Sequence, residues 1–186
     1  FFNEMKRKMR PDLFSMLYEC KFPEEDAMDR EGYSPLVTEK DLDRAYTGYI
    51  PPVGQRRYGI DVAGGGRNYS VVTRRATNIA KILFREQIAD TMAFTGHAID
   101  AIKKDGAQRG DAVFVDIVGI GKGAYDRIKE VAKKELPGIE IIGVNFGETA
   151  QPGDDEDFTN MRAQAFWRTG AWINQGGKLE RADGWE

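Results

Sequence analysis

Hydrophobic and polar positions alternate with a period of two through the middle of the chain, which is typical of β-strands that bury one face. Three such runs follow one another, over residues 57–62, 69–75 and 79–87. The glycines at 64–66 separate the first two runs, and Thr77 with Asn78 separates the second from the third. Because short glycine-containing or polar connections join antiparallel neighbours, we predict three antiparallel strands.

Beyond residue 90 the period changes to that of amphipathic helices, interrupted by two short apolar runs. The first apolar run, residues 112–115, is of the kind that is buried on both faces, and it ends on Asp116. The elements predicted here are a helix at 90–104, a strand at 112–115, a helix at 125–136, a strand at 139–144 and a helix at 158–174. A loop is predicted over Gly119–Gly123, between the fourth strand and the following helix.

This order of elements is that of an α/β, ribonuclease H-like fold. We predict a five-stranded mixed sheet flanked by helices, in which the first three strands are antiparallel and the fourth and fifth are parallel. In that fold the first strand lies at the centre and pairs in parallel with the fourth. Asp61 and Asp116, which are 55 positions apart in sequence, are then neighbours at the carboxyl ends of adjacent strands, where open α/β sheets place ligands.

Residues 1–54 differ from the rest, with mixed charge and no sustained period. Thr38 and Asp41 form a capping-box variant that predicts a short helix through Tyr46, and Pro51 and Pro52 end it. We therefore predict a linker or N-terminal extension over 1–54 and one domain over 55–186. The start at Phe1 and the end in a charged stretch indicate a piece of a longer protein.

Composition narrows the chemistry of the chain. A net charge of -3 and a pI near 5.4 argue against nucleic-acid binding through bulk positive charge. Cys20 and His97 are the only cysteine and histidine, so thiolate clusters and multi-histidine zinc sites are excluded, and a single cysteine suits a reducing cytosol. Carboxylates remain as the only plentiful metal ligands. No apolar run approaches the length of a membrane span, and no signal peptide opens the chain.

Two carboxylates at one sheet edge repel each other unless a cation lies between them. Oxygen-only sites suit Mg²⁺ or Mn²⁺, and two such ions catalyse phosphodiester hydrolysis. A third acid is generally needed, and the candidates are Asp126, Glu86 and Asp90, each of which is more typical of a helix terminus or a solvated residue. The alternative for Asp61 is a turn aspartate that accepts backbone hydrogen bonds.

Several basic residues are candidates for DNA contacts. Arg67 in the first loop and Lys122 near a helix start are placed to hold a DNA phosphate beside the metals, although solvated loop charges are an equal alternative. The arginines that bracket the first hairpin either border a DNA track or keep the surface soluble; they are Arg56, Arg57, Arg74 and Arg75. For His97 we expect a structural role.

Three segments resemble the nuclease domain of the large terminase subunit of tailed bacteriophages. They are YGIDVAGGGRNYSVV at 58–72, VFVDIVGIGKGAYDRIKE at 113–130, and VNFGE at 144–148 with FTNMRAQAFW at 158–167. The resemblance implies a divalent-metal-dependent endonuclease that cuts concatemeric double-stranded DNA with two Mg²⁺ or Mn²⁺ ions. On the matching positions, Asp61 and Asp116 are the metal ligands and catalytic residues.

The resemblance also implies partners. These are double-stranded DNA, an N-terminal packaging ATPase of the same subunit, the small terminase subunit and the portal, in the cytoplasm of a host bacterium and without a membrane. Residues 1–54 then resemble the connection from the ATPase, whose Walker sequence is absent from this chain.

The chain departs from the family in two places. Asn68 stands where the family commonly has an aspartate, and the family's third acid, in a serine-proline-aspartate type motif, is expected beyond Glu186. We therefore expect a domain truncated at its C-terminus that cuts DNA weakly alone. Three alternatives stay open: a non-catalytic docking module on the same fold, a resolvase- or transposase-like nuclease, and an ATPase of the sugar kinase and actin type, which would need a second domain.

Overall fold

The chain folds around one mixed β-sheet, as seen in a computed structural model that describes Tyr18 and residues 35–65, 67–151 and 158–181. Four helices and six strands lie within these ranges. The strands are β1 Arg56–Asp61, β2 Ser70–Ala76, β3 Ile79–Glu86, β4 Ala112–Asp116, β5 Glu140–Val144 and β6 Lys178–Leu179. The helices are α1 Glu39–Tyr46, α2 Thr91–Lys104, α3 Gly121–Glu135 and α4 Met161–Asn174.

The strand order across the sheet is β5-β4-β1-β2-β3-β6. The pairs β1–β2 and β2–β3 are antiparallel, whereas β1–β4 and β4–β5 are parallel. This confirms the ribonuclease H-like fold predicted from the order of elements. The predicted count of five strands is wrong by one, because β6 adds a parallel edge strand beside β3. With only two residues, β6 is too short to produce a period in the sequence.

One face of the sheet is covered by α2 and α3. The main hydrophobic core forms there, between inward residues of the central strands and the apolar sides of the two helices. Among its fully buried members are Tyr58, Val72, Phe94, Ile102, Val113, Val115 and Ile128. We call this the helix-covered face and the opposite side the second face.

Strand β2 shows the two faces most clearly. Ser70, Val72, Arg74 and Ala76 are buried on the helix-covered face, while Thr73 and Arg75 are exposed on the second face. A smaller cluster built from α1, α4 and β6 centres on Val37, Ala45 and Ile173. Around β2, therefore, only the helix-covered face of the sheet is buried.

Local capping interactions explain where the helices begin. Thr38 and Asp41 form the predicted capping box at the start of α1, and the Asp90 carboxylate accepts hydrogen bonds from the backbone N–H groups of Met92 and Ala93 at the start of α2. Helix α3 begins at Gly121, four residues before the predicted start at 125. The glycines at its start disfavour a helix in isolation, which misled the prediction.

None of the described helices is both long enough and apolar enough to cross a membrane.

The Tyr58 hydroxyl is buried under α2, where it donates a hydrogen bond to Asp105 Oδ2 at 3.1 Å. Burial and the negative charge of Asp105 raise the pKa of Tyr58 to about 12. Because the folded pKa lies above the unfolded value of about 10, this contribution to stability is complete below about pH 10 and is lost as the pH rises through about 12.

We predict that the free energy of unfolding of the wild type falls by about 2 kcal/mol more than that of Tyr58→Phe between about pH 10 and pH 12. Urea denaturation of both proteins across this range measures the difference. Parallel pH profiles for the two proteins would contradict the prediction.

Candidate metal centre

The two predicted aspartates lie side by side at one edge of the sheet. Strands β1 and β4 are parallel and in register from Arg57 opposite Ala112 to Ile60 opposite Val115. Asp61 and Asp116 are the next residue on each strand, and each ends its strand. Because neighbouring strands are about 4.8 Å apart, the register brings the two carboxylates together.

Both side chains project from the second face. Ile60 and Val115, which precede the aspartates, are buried in the core on the helix-covered face, and successive strand residues point to opposite sides. Loss of hydration around its carboxyl, followed by the charge of Asp116, raises the pKa of Asp61. The electrostatic repulsion expected from the sequence is therefore present.

The two carboxylates differ in their hydrogen bonds. Asp116 Oδ1 accepts a hydrogen bond from the backbone N–H of Val118 at 2.9 Å, which fixes the carboxylate within a turn. The Asp61 carboxylate accepts no hydrogen bond from any residue in the part of the chain that the structure describes. The alternative of a turn aspartate that accepts backbone hydrogen bonds is therefore wrong for Asp61 within these residues.

The loop after Asp61 is held by a hydroxyl that the sequence analysis did not single out. The buried Ser70 Oγ accepts a hydrogen bond from the backbone N–H of Ala63 at 2.9 Å. On the far side of the loop, Gln87 Nε2 donates to the carbonyl of Arg67 at 2.7 Å. The sequence signal for this contact was a serine at an inward position of β2, a few residues after the three glycines.

The turn after Asp116 depends on a glycine. A Cβ atom at Gly121 would lie 1.9 Å from the backbone oxygen of Asp116, so no other residue fits without moving the turn. The two loops also touch each other, since a Cβ at Gly64 would lie 3.2 Å from Ile120 Cδ1. The loops after β1 and β4 therefore support both aspartates as one unit.

The other predicted site residues are placed as follows. Lys122 and Asp126 pair with each other on the exposed side of α3, at 3.1 Å from Nζ to Oδ1. Arg67 is exposed in the loop that follows Asp61. Whether Arg67 and Lys122 contact DNA, and whether Asp126 is a ligand, stay predictions.

The remaining candidates for a third acid have local partners. Glu86 Oε2 lies 2.7 Å from His97 Nδ1, in keeping with a structural role for His97, and Asp90 caps α2. Among residues 35–65, 67–151 and 158–181, no group of three or more histidine, cysteine, aspartate or glutamate side chains is arranged to hold a metal. The centre seen here is a pair of carboxylates.

The last two segments of the family resemblance meet in space. The backbone N–H of Met161, at the start of α4, donates to the carbonyl of Glu148 at 2.8 Å, and that of Arg162 donates to the carbonyl of Phe146 at 3.2 Å. Gln164 Oε1, buried in α4, accepts a hydrogen bond from the backbone of Gln151 at 3.1 Å. The chain after β5 is thereby anchored at the start of α4.

Comparison with solved structures places this fold in a specific class. The nuclease domain of the large terminase subunit gp2 of bacterial virus Sf6 matches with a TM-score of 0.60 and 19% identity, over 80% of this chain and 70% of that chain. A mutant of the same domain with manganese and β-thujaplicinol matches with a TM-score of 0.60 and 18% identity, with the same coverage. The same mutant of the Sf6 large terminase subunit, with calcium, matches with a TM-score of 0.60 and 19% identity over 80% of this chain and 70% of that one.

These likenesses define first a ribonuclease H-like α/β domain, and then, within that class, the version of the fold found in terminase nuclease domains. The family resemblance predicted from three sequence segments is confirmed at the level of the fold. No protein-family model and no curated protein sequence matches the chain.

We predict that Gly121→Ala destabilises the protein by about 2 kcal/mol or more, because the added methyl group collides with the Asp116 carbonyl. The matched control is Gly123→Ala in the same helix, where an added Cβ meets nothing within 4 Å. That substitution should stabilise the helix by about 0.5–1 kcal/mol. Thermal and urea unfolding of the three proteins give the comparison, and equal effects of the two substitutions would contradict the packing described for the turn.

Proposed function

We propose that this chain is the endonuclease domain of a viral DNA-packaging terminase, which cuts concatemeric double-stranded DNA by two-metal phosphodiester hydrolysis. The observation that carries the proposal is the register of β1 and β4, which ends both strands on an aspartate at one edge of the sheet. The fold shared with terminase nuclease domains, solved with manganese and with calcium, supports it.

The donor set fits a hard divalent cation. Asp61 and Asp116 offer carboxylate oxygens only. Loss of hydration and then the charge of Asp116 raise the pKa of Asp61, and a bound cation would offset both effects. These two residues would hold Mg²⁺ or Mn²⁺. Two such ions supply the charge that activates an attacking water and stabilises the leaving oxygen.

The residues of the chain have distinct tasks in this proposal. Asp116, oriented by the Val118 N–H, and Asp61, whose carboxylate has no donor among the described residues, would bind the cations. Arg67, in the loop after β1, and Lys122, in the first turn of α3, neutralise phosphates beside the scissile bond. Lys122 does so by giving up its ion pair with Asp126. We place the third acid outside the described residues, as the family resemblance implies.

The domain arrangement follows from the same proposal. Residues 55–186 form the nuclease domain, and residues 1–54 connect it to a packaging ATPase of the same subunit. The partners are then DNA, the ATPase, the small terminase subunit and the portal, in the host cytoplasm.

One competing function has an observation in its favour. A docking module that kept the fold and lost its chemistry would lack a third acid, and no three-acid group occurs among the described residues. Metal binding separates the two possibilities, because a docking module has no need for cations at Asp61 and Asp116.

We predict that calorimetric titration with Mn²⁺ gives binding heat in the wild type, and that Asp61→Asn and Asp116→Asn each reduce the affinity at least about tenfold. Asparagine keeps the shape of the side chain and removes the negative charge that binds the cation. The matched control is Asp100→Asn, an exposed aspartate on α2, which should bind Mn²⁺ like the wild type. An absence of heat that depends on Asp61 and Asp116 would support the docking module instead.

We predict that the 186-residue chain nicks supercoiled plasmid weakly or not at all with Mg²⁺ or Mn²⁺, because two carboxylates hold the ions less completely than three. Gel electrophoresis of plasmid after incubation with the protein gives the rate. Robust magnesium-dependent nicking that is abolished by Asp61→Ala would contradict this account, because it would mean that the chain already provides a sufficient set of metal ligands.

A further inference from the structure

The arginines of the first hairpin lie on opposite faces of the sheet. Arg74 is 3% exposed on the helix-covered face, with Nε 3.4 Å from Asp105 Oδ2, and Arg56 Nε lies 3.9 Å from the same oxygen. These two guanidinium groups serve an internal ion-pair cluster around Asp105. The interpretation that they border a DNA track is wrong for Arg74, because a buried side chain cannot reach a phosphate.

Arg57 and Arg75 are different. They are direct partners in the antiparallel register of β1 and β2, on the second face, and like charges directly opposite each other destabilise a sheet. Arg57 donates to the neutral oxygens Gln55 Oε1 and Arg56 O, at 2.8 and 3.3 Å, and the Arg75 guanidinium lies 5.9 Å from the Trp172 ring centroid. Within the described residues, neither arginine has a carboxylate partner.

This pair lies on the same face as the candidate metal centre. Along β1 the second-face positions are Arg57, Gly59 and Asp61, so the arginine pair is about 13 Å from the carboxylates at about 3.3 Å per residue. Between them, Gly59 has no side chain of its own, and the neighbouring Thr73 occupies that space: a Cβ at Gly59 would lie 2.8 Å from Thr73 Oγ1, which donates a hydrogen bond to the Gly59 carbonyl at 3.3 Å. Only this small hydroxyl side chain separates the arginine pair from the carboxylates on β1 and β2.

We propose that the phosphate backbone of duplex DNA crosses the second face over Gly59 and the exposed Thr73, and that the Arg57–Arg75 pair holds the phosphates on the side away from the metals. The inference rests on the proposed nuclease function and extends it to a binding surface. The proposed ligand is a chain of repeating phosphates for two reasons. The arginine end of this surface carries two positive charges without carboxylate partners among the described residues, and the other end carries the carboxylate pair proposed to bind cations. With a net charge of -3, the chain cannot rely on bulk positive charge to bind DNA, and a local cluster of positive charge supplies the contact instead.

The test measures DNA binding without cleavage. Fluorescence anisotropy of a labelled duplex of about 20 base pairs is recorded in EDTA at several salt concentrations, for the wild type and for Arg57→Gln/Arg75→Gln. Each lost phosphate contact lowers the slope of log affinity against log salt by about 0.9. We expect the double variant to bind about tenfold more weakly and its slope to fall by about two.

The matched control is Lys133→Gln/Lys134→Gln, which removes two exposed charges from α3 on the far side of the sheet. It should keep the wild-type salt slope. Equal losses of DNA affinity in both double variants would show that the effect is one of overall charge, and would overturn the inference. Unchanged DNA binding by Arg57→Gln/Arg75→Gln would overturn it too, as would an absence of DNA binding by the wild type at low salt. Thermal unfolding should show that the arginine variant is at least as stable as the wild type, because a like-charge contact is removed.

The outcome is independent of the metal titration. DNA binding lost with intact Mn²⁺ binding supports both proposals. Intact DNA binding by the arginine variant with normal Mn²⁺ affinity would contradict the proposed DNA-binding surface and would leave the proposed metal centre unaffected.

Discussion

The parallel pairing of β1 with β4 is the constraint on which the rest of this structure depends. It joins two strands that are more than fifty positions apart in sequence, and it does so because Tyr58 and Ile60 on one strand and Val113 and Val115 on the other are buried in one core under α2 and α3. Burial of apolar side chains on the helix-covered face therefore determines the position of the carboxylates on the second face. Any loss of register by one residue would send an aspartate into the core.

The carboxylates of Asp61 and Asp116 repel each other at one edge of the sheet. Loss of hydration and then the charge of Asp116 raise the pKa of Asp61, and among the described residues the Val118 N–H is the one backbone donor to the pair. The loops that hold the two aspartates are built with small residues and internal hydrogen bonds, through Gly121 and Ser70. The same division between faces separates the arginines into two pairs. Arg56 and the buried Arg74 lie near Asp105 on the helix-covered face, and Arg57 and Arg75 lie on the face of the carboxylates.

The sequence was informative where a period or a cap decides the local structure. Alternation predicted the hairpin strands, the Thr38–Asp41 box predicted α1, and the apolar run before Asp116 predicted β4. It was uninformative where a tertiary contact decides. Lys178–Leu179 forms a strand only because β3 offers an open edge, and Gly121 starts α3 because the Asp116 carbonyl leaves no room for a side chain.

The arginines of the first hairpin show the same limit of sequence-based prediction when the question is function. Arg74 and Arg75 are adjacent and chemically identical, and only the alternation of the sheet distinguishes the buried one from the exposed one. The adjacency of Asp61 and Asp116 was predictable because it follows from strand order alone. A third acid could not be selected from the sequence, because Glu86, Asp90 and Asp126 are all typical of helix termini or solvated positions. In the structure each has a local partner, and Asp126 stays a candidate.

The most direct test of the central claim is the anomalous scattering of manganese in crystals of the wild-type chain grown or soaked with Mn²⁺. The account predicts manganese density between the carboxylates of Asp61 and Asp116 at the shared end of β1 and β4. Crystals that contain Mn²⁺ without density at these two side chains, or with the metal bound only elsewhere, would contradict it.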